Sequence, residues 1–120
     1  WLEPTALCLL ALKVRRVAAP AVAARVADAE AIIFDRVCEP AGWNYGNAHV
    51  MAQDLRPYVP TTALVLLAMQ DKADHPVIRR SLGWLTAHST SEPAARACAT
   101  AAICLHLYGA PTDDVRRLVA

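Results

Sequence analysis

Polar and aromatic side chains crowd one short stretch of this otherwise apolar chain, between residues 43 and 58. Indole, phenol, imidazole, carboxylate and guanidinium groups all occur there, and such groups fix and orient ligands when a rigid scaffold holds them. We predict a substrate-binding role for six residues of this stretch: Trp43, Tyr45, His49, Asp54, Arg56 and Tyr58.

A purely structural explanation fits the same residues. Asp54 and Arg56 could pair with neighbouring helices, Trp43 could fill the gap between two helix pairs, and Asn47 could turn the chain. Both explanations are kept open at the level of sequence.

Motifs for metal binding and nucleophilic catalysis are missing elsewhere. The four histidines show no metal-ligand spacing such as H-x-x-x-H, and no glycine-rich phosphate loop occurs, so we predict no metal and no cofactor. The hydroxyls at 89–91 beside His88 lie between two helices and suit capping better than a nucleophile with its base.

Composition narrows the possible partners. Twelve basic and eleven acidic side chains leave a net charge of +1, which provides no field to attract nucleic acid. No segment is apolar for long enough to span a membrane, so we predict no transmembrane segment.

Four cysteines without a C-x-x-C pair favour a reduced, cytoplasmic protein. Because the first residue is Trp1 and not Met, we also expect a fragment of a longer chain.

The elements that carry these residues are predicted to be helices. The chain is rich in Ala, and its prolines fall where first helical turns tolerate them, so we predict an all-α fold. The predicted helices are Pro4–Val17, Pro20–Val37, Pro60–Gln70, Pro76–Ser89, Pro93–Tyr108 and Asp113–Val119, the last with Thr112 as N-cap. The irregular segment Cys38–Val59 contains a turn at 41–42 and a short helix near Ala48–Leu55.

Two kinds of helix alternate along the chain. Residues 6–12, 63–69 and 97–105 are apolar nearly all round, which predicts inner helices enclosed by others. The helices between them carry a single apolar stripe, which predicts outer helices. The inner helices also repeat: Thr-Ala-Leu-Cys-Leu-Leu-Ala-Leu at 5–12 matches Thr-Ala-Leu-Val-Leu-Leu-Ala-Met at 62–69 and, more weakly, residues 100–107. Such helix pairs bury their apolar faces by stacking on each other.

Three segments stand next to or at the start of the predicted helices: Ala-Gly-Trp-Asn-Tyr-Gly at 41–46, Trp-Leu-Glu-Pro-Thr-Ala at 1–6 and Tyr-Val-Pro-Thr-Thr-Ala at 58–63. They resemble the repeats of the terpenoid cyclase and protein prenyltransferase superfamily, which includes squalene-hopene cyclases. The resemblance implies an α/α toroid of helical hairpins around an isoprenoid-binding cavity. With three inner helices, residues 1–120 form one partial toroid domain, about half of an (α/α) barrel, with repeat units near 1–43, 44–89 and 90–120.

The chain departs from this superfamily at its catalytic motifs. In the glutamine-tryptophan repeat of the cyclases, the matching positions here are Val37, Ala41 and Trp43, so only the Trp is kept. The acidic cyclase motif is absent, and Glu3 is the one carboxyl left at the proton-donor position, a weak catalytic candidate. A glutamate in a first helical turn also interacts favourably with the helix dipole.

The zinc ligands of the prenyltransferases are not matched either. Their Asp and Cys lie two positions apart, whereas Asp35 and Cys38 are three apart here. Asp113 and Asp114 could form an acidic motif, but after Thr112 they fit first-turn helix residues better.

Two functions remain open. The first is a prenyltransferase- or squalene-cyclase-like repeat domain that binds an apolar isoprenoid, with catalysis left uncertain. The second is a non-catalytic α/α repeat module that binds another protein through residues 43–58. In either case the rest of the ring would come from the same chain or from a second copy.

Overall fold

The computed structural model describes residues 1–16 and 18–119 and shows a helical protein. Six α-helices follow one another along this part of the chain, and a 3₁₀ turn at Gln70–Lys72 follows the third. The helices are α1 (Leu2–Arg15), α2 (Pro20–Asp35), α3 (Val59–Ala68), α4 (Pro76–Ser89), α5 (Ala95–Leu107) and α6 (Thr112–Arg117). The all-α prediction is therefore confirmed at the level of fold class.

Proline sets several helix starts, as predicted. Pro20, Pro60 and Pro76 lie in the first turns of α2, α3 and α4, where the missing N–H has no partner to lose. The start of α6 differs from the prediction, because Pro111 is its N-cap and Thr112 is already helical. The predicted end of the first helix at Val17 lies outside the described residues.

The short helix predicted near Ala48–Leu55 is wrong, because this segment is a β-hairpin. Strands β1 (His49–Val50) and β2 (Gln53–Asp54) pair antiparallel, and the Leu55 amide donates to the Ala48 carbonyl at 2.8 Å. Met51 and Ala52 form the turn with φ of 49° and 61°. Two successive left-handed residues give the turn twist that suits a two-residue hairpin.

Helix α3 lies at the centre of the molecule. It packs between α1 and α5, with α4 against α3 and α5, α2 against α1, and α6 against α5. Eight of its ten residues are buried. Its apolar surface is therefore covered nearly all round, as expected of an inner helix.

Helices α1 and α5 are less enclosed within the described residues than their sequences predict. Only three residues of α1 are buried, and large apolar side chains of both helices are exposed by about half or more. These are Leu7 (52%), Val14 (71%), Ile103 (57%) and Leu107 (54%). Although α2 packs on α1, and α4 and α6 pack on α5, these four side chains are left uncovered by the described residues.

Buried hydrogen bonds fix the connection between α2 and α3 to both helices. The Trp43 indole Nε1 donates to the Ile33 carbonyl at 2.8 Å, and its backbone N–H donates to the Thr62 Oγ1 at 3.0 Å. Gly42 precedes it with φ of 84°, and a Cβ there would lie 2.9 Å from both Pro57 Cβ and Thr62 Oγ1. Only glycine fits this position without displacement.

In the described part of the chain, no helix combines the length and apolar character needed to cross a membrane.

Candidate functional site

The connection between α2 and α3 brings two of the predicted residues, Tyr45 and Tyr58, into contact. Their ring centroids are 5.0 Å apart, with ring planes inclined at 37°. Tyr58 is the N-cap residue of α3, and the Tyr45 carbonyl accepts a hydrogen bond from the Leu2 amide at 2.9 Å. The two rings therefore lie where α1 and α3 begin.

Beside these rings lies an open pocket of about 450 Å³, which we call the aromatic pocket. It contains three of the chain's seven Trp, Tyr and Phe residues, together with apolar side chains from the hairpin. Its lining residues are Trp1, Arg36, Asn44, Tyr45, Gly46, Asn47, Val50, Leu55 and Tyr58. Aromatic faces with a few polar groups are typical of small-molecule sites of this size.

Asn44 organises the polar wall of the aromatic pocket. Its side chain is almost fully buried; Nδ2 donates to the Asn47 carbonyl at 3.0 Å, and Oδ1 accepts from the Gly46 amide at 2.9 Å. An asparagine that bonds its own backbone in this way fixes a tight turn. The polar wall is therefore formed by the chain itself, without a ligand.

His49 and Asp54 lie apart from the aromatic pocket, on the outer side of the hairpin. His49 Nδ1 and Asp54 Oδ1 are 2.8 Å apart, and both side chains are largely exposed. They face each other across β1 and β2 and join the two strands. The hairpin residues that line the pocket are the apolar Val50 and Leu55 instead.

Arg56 lies on the far side of Tyr58. Its guanidinium carbon is 6.0 Å from the centre of the Tyr58 ring, within the range of a cation–π contact. Arg56 lines a second open pocket of about 470 Å³ together with Tyr58, Trp84 and His88. Tyr58 thus separates this second pocket from the aromatic pocket.

Trp43, predicted as a substrate-binding residue, is fully buried between α2 and α3. Its ring has no exposed surface to offer a ligand, and its polar groups are bonded within the chain. This placement agrees with the structural explanation, in which the indole fills the gap between helix pairs.

Glu3, the weak catalytic candidate, joins α1 to α3. Its carboxylate accepts a hydrogen bond from the Thr61 hydroxyl at 2.9 Å, and the residue does not line the aromatic pocket. Asp113 and Asp114 pair with Arg116 and Arg117 one turn later on α6. Within residues 1–16 and 18–119, no three His, Cys, Asp or Glu side chains cluster as metal ligands would.

The cysteines divide by burial. Cys8 is exposed on α1, whereas Cys38 and Cys104 are buried. Burial raises the pKa of the Cys104 thiol to about 12, because a thiolate loses its hydration there. The pKa of Cys38 is also raised by burial, with a hydrogen bond from the backbone of Asn44 opposing the shift. These two thiols are packing residues and not nucleophiles.

Sequence reasoning missed Trp1, Arg36 and the apolar hairpin residues of the aromatic pocket. Val50 and Leu55 fall in the segment for which the sequence predicts a helix, whereas the hairpin places both in the pocket wall. Arg36 lies outside the stretch 43–58, and the folded connection between α2 and α3 places it in the lining of the same pocket as Tyr45. Comparison with models of known families, with curated proteins and with solved structures finds no match to this chain.

Proposed function

We propose that this chain binds an apolar small molecule of the isoprenoid class in the aromatic pocket. One observation carries the proposal: Trp1, Tyr45 and Tyr58 converge on a single cavity in a chain with only 6% aromatic residues. Val50 and Leu55 add aliphatic surface, so most of the lining suits a hydrocarbon. Catalysis is not part of the proposal, because Glu3, the weak catalytic candidate, does not line the aromatic pocket.

We further propose that the helical hairpins are a section of an α/α toroid. The Thr61 hydroxyl contacts Glu3, and the Ala68 carbonyl accepts from Lys13 at 3.0 Å, so one line of α3 faces α1. Thr61, Val65 and Ala68 on this line are buried. In the sequence repeat, the same positions of α1 are occupied by Pro4, Cys8 and Ala11, and all three are exposed.

The exposed line of α1 supports a position for one more inner helix. A repeat array buries each inner helix between two other inner helices, and among the described helices that carry the sequence repeat α1 packs against α3, with α2 as its other neighbour. The aromatic pocket lies at the start of α1 and α3, where it would border the mouth of a ring cavity.

A second candidate function, protein binding, is favoured by the exposed apolar side chains of α1 and α5. Leu7, Val14, Ile103 and Leu107 are each more than half exposed. Leu7 and Val14 on α1, and Ile103 and Leu107 on α5, provide apolar surface on the two helices that flank α3, and exposed apolar surface of this kind marks many interaction sites. They lie on α1 and α5 and not in the aromatic pocket, so the two functions can be separated by mutation.

The first prediction distinguishes ligand binding in the aromatic pocket from binding at the exposed faces of α1 and α5. Tyr58→Ala removes the ring shared by both pockets, and we expect it to weaken farnesol binding about tenfold, because a ring contact contributes roughly 1–1.5 kcal/mol. Ile103→Ala, an exposed apolar position on α5, serves as the matched control and should leave the affinity unchanged. Titrations followed by tryptophan fluorescence measure both. A loss of affinity in Ile103→Ala, with none in Tyr58→Ala, would move the site to the exposed helix faces.

A further inference from the structure

The aromatic pocket contains one charged side chain among its lining residues, Arg36. This residue ends α2 as its C-cap, and its side chain is half-buried. Within the described residues, no carboxylate lies within 4.0 Å of its guanidinium. By contrast, four largely exposed arginines each pair with an aspartate: Arg25, Arg79, Arg116 and Arg117.

A half-buried guanidinium without a carboxylate is poorly compensated. It has lost part of its hydration, and an anion that reaches it gains more than it would in open water. The carboxyl end of α2 favours a cation at this point, but its partial charge is smaller than that of a carboxylate and does not replace one. Arg36 therefore provides a positive charge at the wall of a largely apolar pocket.

The guanidinium geometry indicates which anion fits. Its planar fork matches the two oxygens of a carboxylate, which it binds through two parallel hydrogen bonds. A single cation balances a single negative charge, whereas a phosphate or diphosphate carries more. The next arginine, Arg56, lies beyond the Tyr58 ring and lines the second pocket.

We propose that the ligand of the aromatic pocket is a monocarboxylate with an apolar body, whose carboxylate binds Arg36 while its body packs against Tyr45 and Tyr58. This inference rests on the proposed function, because it assigns a head group to the ligand of the same pocket. The Asn44 side chain is engaged in its own turn, with Nδ2 on the Asn47 backbone carbonyl and Oδ1 on the Gly46 amide. Arg36 is the one side chain of the lining that carries a positive charge to balance a carboxylate.

The test compares ligands that share one hydrocarbon chain. Farnesoic acid, its methyl ester, farnesol and farnesyl phosphate are titrated by calorimetry at low ionic strength. We expect the acid to bind about tenfold more tightly than the ester and the alcohol, since a hydrogen-bonded charge pair at a partly exposed site contributes about this much. The phosphate should gain nothing over the acid.

Variants assign the preference to its residue. Arg36→Gln should abolish the acid preference while the ester still binds, and Arg36→Lys should keep only part of it because an ammonium lacks the planar fork. Arg56→Gln, on the other side of Tyr58, is the matched control and should keep the full preference. Helix content measured by circular dichroism confirms that each variant is folded.

The outcomes distinguish the two proposals. If the ester and the alcohol bind and Tyr58→Ala weakens them, but the acid is no better or its preference survives in Arg36→Gln, the carboxylate assignment is wrong and the pocket stands. Tighter binding of the phosphate than of the acid also overturns the assignment. If none of the four compounds binds, both proposals fail.

Discussion

At the scale of single residues, Thr62 has the clearest structural role. Its hydroxyl accepts from the Trp43 amide at 3.0 Å and donates to the Trp43 carbonyl at 3.2 Å, so one side chain satisfies both backbone groups of a buried residue. These two hydrogen bonds attach the connection between α2 and α3 to the start of α3. The polar connection thus depends on a hydroxyl that sequence analysis treated only as part of a repeat.

We predict that Thr62→Val destabilises the protein by about 1–3 kcal/mol, because valine fills the space but leaves the buried Trp43 amide without a partner. Thr5→Val is the matched control, since Thr5 holds the same place in the α1 repeat and its hydroxyl bonds the Trp1 carbonyl at an exposed site. Urea unfolding should show a loss below about 0.5 kcal/mol for the control. Equal losses in both variants would contradict the role given to Thr62.

The buried thiol of Cys104 predicts a pH dependence of stability. In the unfolded chain this thiol ionises near its ordinary pKa of 9.0, whereas burial raises its pKa in the folded chain to about 12. Between these values the folded state holds one more proton, so the free energy of unfolding falls as the pH rises. Burial also raises the pKa of Tyr108, which acts in the same direction.

Denaturant unfolding at several pH values from 8 to 11 measures this effect. Cys104→Ala should flatten part of the decline above pH 9, whereas Leu105→Ala, a buried neighbour without a titrating group, should lower stability and keep the decline. A wild-type stability that stays level across this pH range would show that the thiol is less buried than described.

At the scale of elements, the helices were predictable and the hairpin was not. Proline at 20, 60 and 76 sets φ at helix starts, and the apolar runs match α1, α3 and α5. Residues 48–55 contain no Gly or Pro to mark a turn, and Met51 and Ala52 adopt left-handed conformations that side chains disfavour. Sequence pattern therefore gave no signal for the strands.

The hairpin turn yields the next prediction. Ala52→Gly should raise the free energy of unfolding by about 0.5–1 kcal/mol, because glycine adopts the φ of 61° without a Cβ clash. The control is Ala48→Gly, at a position before β1 whose φ is not positive, and it should reduce stability. Thermal unfolding of the two variants compares them directly. Destabilisation by Ala52→Gly would contradict the turn geometry.

The residues of the candidate site were predictable from the sequence only in part. Tyr45 and Tyr58 stand out in sequence as aromatic residues in a polar loop, and they do line the aromatic pocket. Trp43 carries an equally strong sequence signal, yet the glycine turn at Gly42 and the Thr62 hydroxyl direct it into the core. Which aromatic ring faces outward depends on contacts between distant residues, which spacing along the chain does not encode.

At the scale of the whole molecule, apolar side chains are exposed in the aromatic pocket at the start of α1 and α3 and on the helices that flank α3. The helix residues are Leu7 and Val14 on α1, and Ile103 and Leu107 on α5. If the helices are a section of a toroid, these helix faces pack against further helices and are not ligand sites. The pocket, in contrast, is formed by the described residues themselves.

The central claim is that the aromatic pocket is the ligand site, and a ¹H–¹⁵N NMR titration with farnesoic acid tests it most directly. We predict amide shifts confined to residues 44–47, 50, 55 and 58 and to the start of α1, saturating together at one dissociation constant. Shifts centred instead on Leu7, Val14, Ile103 and Leu107, or no shifts that saturate, would contradict the claim.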